Sequence, residues 1–154
     1  MPLESQVCSL EYAKKLMDLG VKKEVLFYYL NIDGQGKHYI YFNEHLPEEF
    51  EYEGDAISGF TSSELLEILP ACIDIKRNDP FNYYWLNIQK RTTKNIKYIV
   101  GYFCDTYSAE EIVNFSHPLN TKKLFTEYDE NFCDCLAKTL IYLIENKMIK
   151  VSLE

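Results

Sequence analysis

Cys104 and His117 come nearest to the residue types of nucleophilic catalysis, a thiol near the end of a β-like run and an imidazole in the loop after it. Closeness in sequence does not supply the hydrogen bond that such a mechanism needs, so no catalytic residue is assigned on it. Metal chemistry fares no better. His38 and His45 are seven residues apart, an odd separation that sends them to opposite faces of a continuing strand. Cys133 and Cys135 stand two apart in a helical pattern, where side chains do not face each other, so they do not form a zinc knuckle. The chain has no Gly-x-Ser-x-Gly elbow, no phosphate loop ending in Gly-Lys-Ser/Thr and no dinucleotide Gly-x-Gly-x-x-Gly. Asp33-Gly34-Gln35-Gly36 lacks the oxygen ligands that must follow in a calcium loop and reads as a turn. No metal ligand and no cofactor is assigned, and an enzyme with an unrecognised pocket is kept as an alternative.

Charge and aromatic content point instead to binding. With 24 acidic and 16 basic residues the net charge is −8, which repels a nucleic-acid backbone overall. Glu48, Glu49, Glu51 and Glu53 lie in a stretch from Glu44 to Asp55 without Lys or Arg, read as a solvated loop or ragged edge that suits a basic partner surface. Catalytic carboxylates need shielding to separate their pKa values, and this stretch offers none. Thirteen tyrosines lift the aromatic share to 15%. Tyr and Trp bury large areas while keeping a polar tip, which enriches them at interfaces, though they also pair across strands because they suit a pleated surface. Lys76, Arg77, Lys90, Arg91, Lys94 and Lys97 gather near Tyr83 and Trp85, and this is the basis of a second reading, stacking of single-stranded bases.

Four β-like runs hold many of these rings: Val25 to Ile32, Lys37 to Asn43, Phe81 to Lys90 and Ile96 to Cys104. Alternation predicts that Leu26, Leu30, Ile32, Ile40, Phe42, Leu86 and Ile88 share an aliphatic side. Phe27, Tyr29, Tyr39, Tyr41, Tyr83 and Trp85 then share an aromatic one, with Tyr29, Tyr41, Tyr83 and Trp85 as candidate binding residues. The two glycines of Asp33 to Gly36 suit a tight antiparallel hairpin.

Helices must supply the other layer. Ser9 as N-cap, apolar Leu10, Ala13, Leu16 and Met17, and Gly20 as terminator predict a helix from about Leu10 to Leu19, closed by a Val21–Leu16 contact. Phe60-Thr61-Ser62-Ser63-Glu64-Leu65 combines capping box and hydrophobic staple and starts a second helix that ends near Leu69, before Pro70. A short strand around Ile73 and Ile75 turns at Asn78-Asp79-Pro80 into the two later aromatic runs, a meander. Tyr107-Ser108-Ala109-Glu110-Glu111-Ile112 repeats the capping pattern. A last helix from Glu127 to about Asn146 carries the stripe Phe132, Leu136, Leu140 and Leu143. The prediction is one domain over residues 1–154 with an α+β fold. Its mostly antiparallel sheet of about five strands has helices on one face, in the order αββαβββαα.

No basic stretch followed by an apolar run opens the chain, and no segment approaches a membrane span. Five cysteines, an odd number within apolar patterns, suit reduced thiols in a cytoplasmic setting. Cys8 to Leu16 with Leu19-Gly20-Val21 and Leu26-Phe27-Tyr28, then Phe60 to Pro70, and finally Leu136 to Asn146 resemble small uncharacterised proteins of phages and prophages from gut-type and related bacteria. The resemblance implies a shared fold and brings no catalytic residue. The expectation is a small acidic phage- or prophage-type protein that binds another protein, such as a host or defence component. A second copy of the chain on the aromatic face is the alternative partner.

Overall fold

The computed structural model describes residues 3–21, 24–32, 34–45, 56–75, 83–91, 97–106 and 120–150. Along them run α1 (Leu10–Asp18), β1 (Phe27–Leu30), β2 (Tyr39–Phe42), β3 (Ala56–Gly59), α2 (Ser62–Ile68), β4 (Cys72–Asp74), β5 (Tyr83–Lys90), β6 (Tyr98–Thr106), β7 (Asn120–Asp129) and α3 (Phe132–Glu145), with 3-10 turns at Leu3–Ser5 and Asn43–His45. The fold is α+β with antiparallel pairing throughout the described strands. The strands do not form the single sheet that alternation predicts. They divide into β2-β1-β3 and β4-β5-β6-β7.

Two of these strands escape a period-two reading. β3 is four residues, Ala56-Ile57-Ser58-Gly59, too short and too small to stand out, and it earns its place by pairing with β1. β7 carries a register shift: Tyr102 pairs with Phe125 but Phe103 pairs with Lys123, leaving Leu124 as the extra residue. A bulge of this kind breaks the alternation on which a strand is recognised. The final helix therefore starts later than predicted. Glu127 and Asp129 are strand residues, and the N-cap is Asn131, whose side chain accepts the Cys133 N–H at 2.9 Å. The helix predicted from Tyr107 and most of the acidic stretch lie outside the described residues.

Local signals decide the helix ends. Gly20 adopts φ 82° after α1, Val21 N–H reaches Leu16 O and Gly20 N–H reaches Met17 O, a complete Schellman ending. Ser9 caps α1 by position but its side chain makes no capping bond; its backbone N–H donates to Asp134 on α3. Thr61 and Glu64 close a reciprocal capping box on α2. α3 ends in the same geometry as α1, with Lys147 at φ 56° in the position that glycine holds there and Met148 N–H on Leu143 O.

One hydrophobic core joins both sheets. Phe27 and Tyr29 from β1, Val100 and Tyr102 from β6 and Phe125 from β7 meet Leu136, Leu140 and Leu143 of α3 there. α3 packs against α1, α2, β6 and β7 and is the hub of the molecule. Phe125 stacks on Tyr142 at 4.0 Å between ring centroids, an aromatic join between sheet and helix.

Register overturns the predicted segregation of rings and aliphatics. β1 pairs with β2 as Phe27↔Phe42 and Tyr29↔Ile40. Directly paired residues share a face, so odd positions of one strand lie with even positions of the other. The Phe27 and Phe42 rings meet edge-on at 5.5 Å. Leu26, Ile32 and Ile88, predicted for the buried aliphatic side, are exposed.

Candidate interaction surface

The face of the four-stranded sheet turned away from α3 is built by register. Cys72, Trp85, Phe103 and Lys123 stand side by side across β4 to β7; Asn87 and Gly101 form the next row beside Thr126; Gln89, Ile99 and Tyr128 form the third. Because neighbours along a strand point to opposite sides, Tyr84, Leu86, Val100 and Tyr102 take the core side. Trp85 is 60% exposed, Tyr128 44% and Tyr83 43%, while Phe103 is half-buried between them. Thr126 donates its hydroxyl to the Tyr128 oxygen at 2.9 Å, which ties the third row to the second. The middle is flat because Gly101 has no side chain. A Cβ there would stand 2.4 Å from Phe125 O and 2.7 Å from Thr126 Cγ2.

The predicted binding residues have different fates. Tyr83 and Trp85 lie together on this open face. Tyr29 does not: it is 7% exposed, its hydroxyl donates to Cys8 O at 2.7 Å, and burial raises its pKa. It is a core residue because the N-terminal segment covers it, a contact no strand pattern announces. Tyr41 is half-buried on the other sheet, in an open cleft of about 600 Å³ with Tyr39 and His38. Lys37 lies 4.9 Å above the Tyr39 ring beside it. Glu48, Glu49, Glu51 and Glu53 lie outside the described residues, as do Lys76, Arg77 and Lys94. Phe103 and Tyr128 were missed as surface rings. Phe103 joins Trp85 through the β5–β6 register, which alternation within one strand does not contain; Tyr128 was hidden by the reading of its segment as helix.

Four of the five cysteines are buried. Cys104 is buried and His117 lies outside the described residues. Burial pushes Cys133 and Cys135 up to about 11 and Cys8 up to about 12, which keeps these thiols neutral and unreactive near pH 7. No disulfide joins the cysteines, and among the described residues no group of three or more His, Cys, Asp or Glu is placed to hold a metal ion.

Carboxylates converge on Lys138 behind the sheet. Its ammonium meets Asp129 at 2.7 Å and the Tyr128 carbonyl at 3.3 Å, and lies 5.4 Å above the Tyr12 ring. Burial works against its charge, yet the hydrogen bond and charge of Asp129 outweigh it and raise Lys138 to about 12. Burial also raises Glu127 and Asp134. These groups link β7, α1 and α3 and serve packing. A second open cleft, about 530 Å³, lies where the two sheets meet and is lined by Phe27, Phe42, Tyr98 and Phe132 with Ser62 and Ser63.

No helix among the described residues is long and apolar enough to cross a membrane. No protein-family model matches the chain, and no curated protein or solved structure matches it either.

Proposed function

We propose that this chain is a binding protein that engages another protein through the outer face of β5, β6 and β7, with Trp85 as the central anchor. The observation that carries this reading is that Trp85 and Phe103 stand in one row of this face, with Tyr83 two residues along β5 and Tyr128 two rows away on the same face, and that Trp85, Tyr83 and Tyr128 are open to solvent. Large rings with a polar tip supply most of the energy at protein interfaces when a partner seals them from water. Asn87, Gln89 and Thr126 between the rings supply hydrogen-bonding groups for orientation. The acidic run Glu48, Glu49, Glu51 and Glu53 belongs to the proposal as a second contact for a partner with basic character. The phage- or prophage-type, cytoplasmic setting rests on the resemblance of the three segments and the cysteine usage.

Site-specific photocrosslinking tests it. Benzoylphenylalanine in place of Trp85 or Tyr128 is expected to yield the same discrete adduct in bacterial cells, and the same group in place of Lys14, exposed on α1 at the helix side of the molecule, none. An adduct of twice the chain's mass identifies a second copy as the partner. Identical adduct patterns from all three positions contradict an interface on this face.

The alternative ligand, single-stranded nucleic acid, draws on exposed Lys90, Arg91 and Lys97 at one end of the same sheet. On that reading Arg91→Ala lowers oligonucleotide affinity and the salt slope. Absence of binding to single strands at low salt excludes it.

A further inference from the structure

We propose that the cleft between the two sheets binds one uncharged fused-ring aromatic molecule that carries a hydrogen-bonding substituent. The site is independent of the outer-face reading, since its ring walls belong to the opposite side of the sheet. Its volume of about 530 Å³ falls in the range of roughly 300–1,000 Å³ common to small-molecule sites. An engineered apolar cavity of about 150 Å³ already admits benzene, so two fused rings fit with the substituent toward the mouth.

Two aromatic pairs from different layers line it. Phe27 and Phe42 of the three-stranded sheet meet at 5.5 Å and 61°, and Tyr98 of β6 and Phe132 of α3 meet at 5.1 Å and 34°. Together they offer ring edges and faces, the two surfaces that an aromatic guest uses for offset and edge-on contacts. Thr61, Ser62 and Ser63 are the polar residues on the α2 side. None of the described residues lining the cleft carries a formal charge. An ionic guest therefore loses hydration without meeting a counter-charge, and a neutral one does not.

Two of the wall residues are anchored from outside the cleft. Leu26, at the cleft's edge, has its backbone N–H held by Glu64 at 2.9 Å, and Phe132 begins α3 directly after the Asn131 cap. Such prior ordering lowers the entropy lost on binding.

The test titrates the full chain with 2-naphthol and, separately, with 2-naphthalenesulfonate at neutral pH, followed by backbone amide NMR shifts. The expected result is saturable shifts at Phe42, Ser63 and Phe132 with naphthol, and binding of the sulfonate at least about tenfold weaker because its charge is unmet. Ser63→Trp, at an exposed lining position, fills the mouth and weakens naphthol at least about tenfold; Leu26→Trp, at a second exposed lining position, does the same. Glu145→Gln, at the far end of α3 from Phe132, leaves the affinity unchanged. Absence of saturable shifts, equal affinity for the two probes, or shifts centred on Trp85 overturns the proposal.

Discussion

The Glu64 carboxylate accepts the backbone N–H of Leu26 at 2.9 Å across 38 positions of sequence. Its other oxygen takes the Thr61 N–H at 2.6 Å and the Thr61 hydroxyl at 2.7 Å. One side chain, 8% exposed, thus closes the capping box of α2 and pins the entry to β1. The joint also holds one edge of the cleft between the sheets.

Glu64→Ala is therefore expected to cost more than a cap alone. The cap is worth about 1 kcal/mol, and leaving the Leu26 N–H without its acceptor adds about 1–3 kcal/mol. Thr61→Ala removes the cap and leaves the Leu26 bond in place, so it costs about 1 kcal/mol. Urea unfolding of the two variants measures the difference. Equal losses contradict a shared joint.

Gly101→Ala probes the close pairing of β6 and β7. The added methyl meets backbone at Phe125 O, 2.4 Å away, and backbone yields less readily than a flexible side chain. Overpacking of this kind costs about 1–3 kcal/mol. The expected readout is a lower unfolding midpoint with faster amide exchange along Tyr98–Thr106; wild-type stability contradicts the predicted clash.

Lys147→Gly is expected to stabilise the chain by about 0.5–1 kcal/mol, because a side chain at φ 56° bears a left-handed penalty that glycine does not. The bonds of the helix ending, Lys147 N–H to Ile144 O and Met148 N–H to Leu143 O, are retained. Thermal unfolding checks it, and a fall in midpoint contradicts it.

Burial raises Glu127 and Asp134 above the usual carboxyl values of 4.5 and 3.8, Lys138 opposing the shift in both and the Ser9 N–H also opposing it in Asp134. A native state with raised carboxyl values holds protons that the unfolded chain has released, so stability falls as pH climbs from the usual values through the raised ones and then levels off. Glu127→Gln removes one such group. Its unfolding free energy is expected to decline less than wild type between acid and neutral pH. A steeper decline in the variant contradicts the sign.

What was legible in the sequence is what neighbours in the chain decide. The Gly20 ending, the Thr61–Glu64 box, the β1–β2 hairpin and the β4-β5-β6 meander all follow from contacts within short spans. Within β5 alternation also placed Tyr83 and Trp85 on one face, and the structure leaves both exposed. Two features lay beyond that reach. Whether Phe27 shares a face with Phe42 or with Tyr41 depends on hairpin register, which alternation within one strand does not contain. Tyr29 is internal because its hydroxyl meets Cys8 O across 21 positions. β3 and β7 were lost to brevity and to a bulge, and with β7 went Tyr128, a ring of the surface now proposed for binding.

Trp85 is the chain's sole tryptophan, so its fluorescence reports on the proposed anchor without substitution. Acrylamide quenching of the isolated chain, repeated after adding the partner recovered by crosslinking, is the most direct measurement. The account predicts red-shifted, readily quenched emission in the isolated monomer, then a blue shift and protection in the complex. Blue, quench-resistant emission from the isolated monomer, or unchanged quenching in the complex, contradicts it.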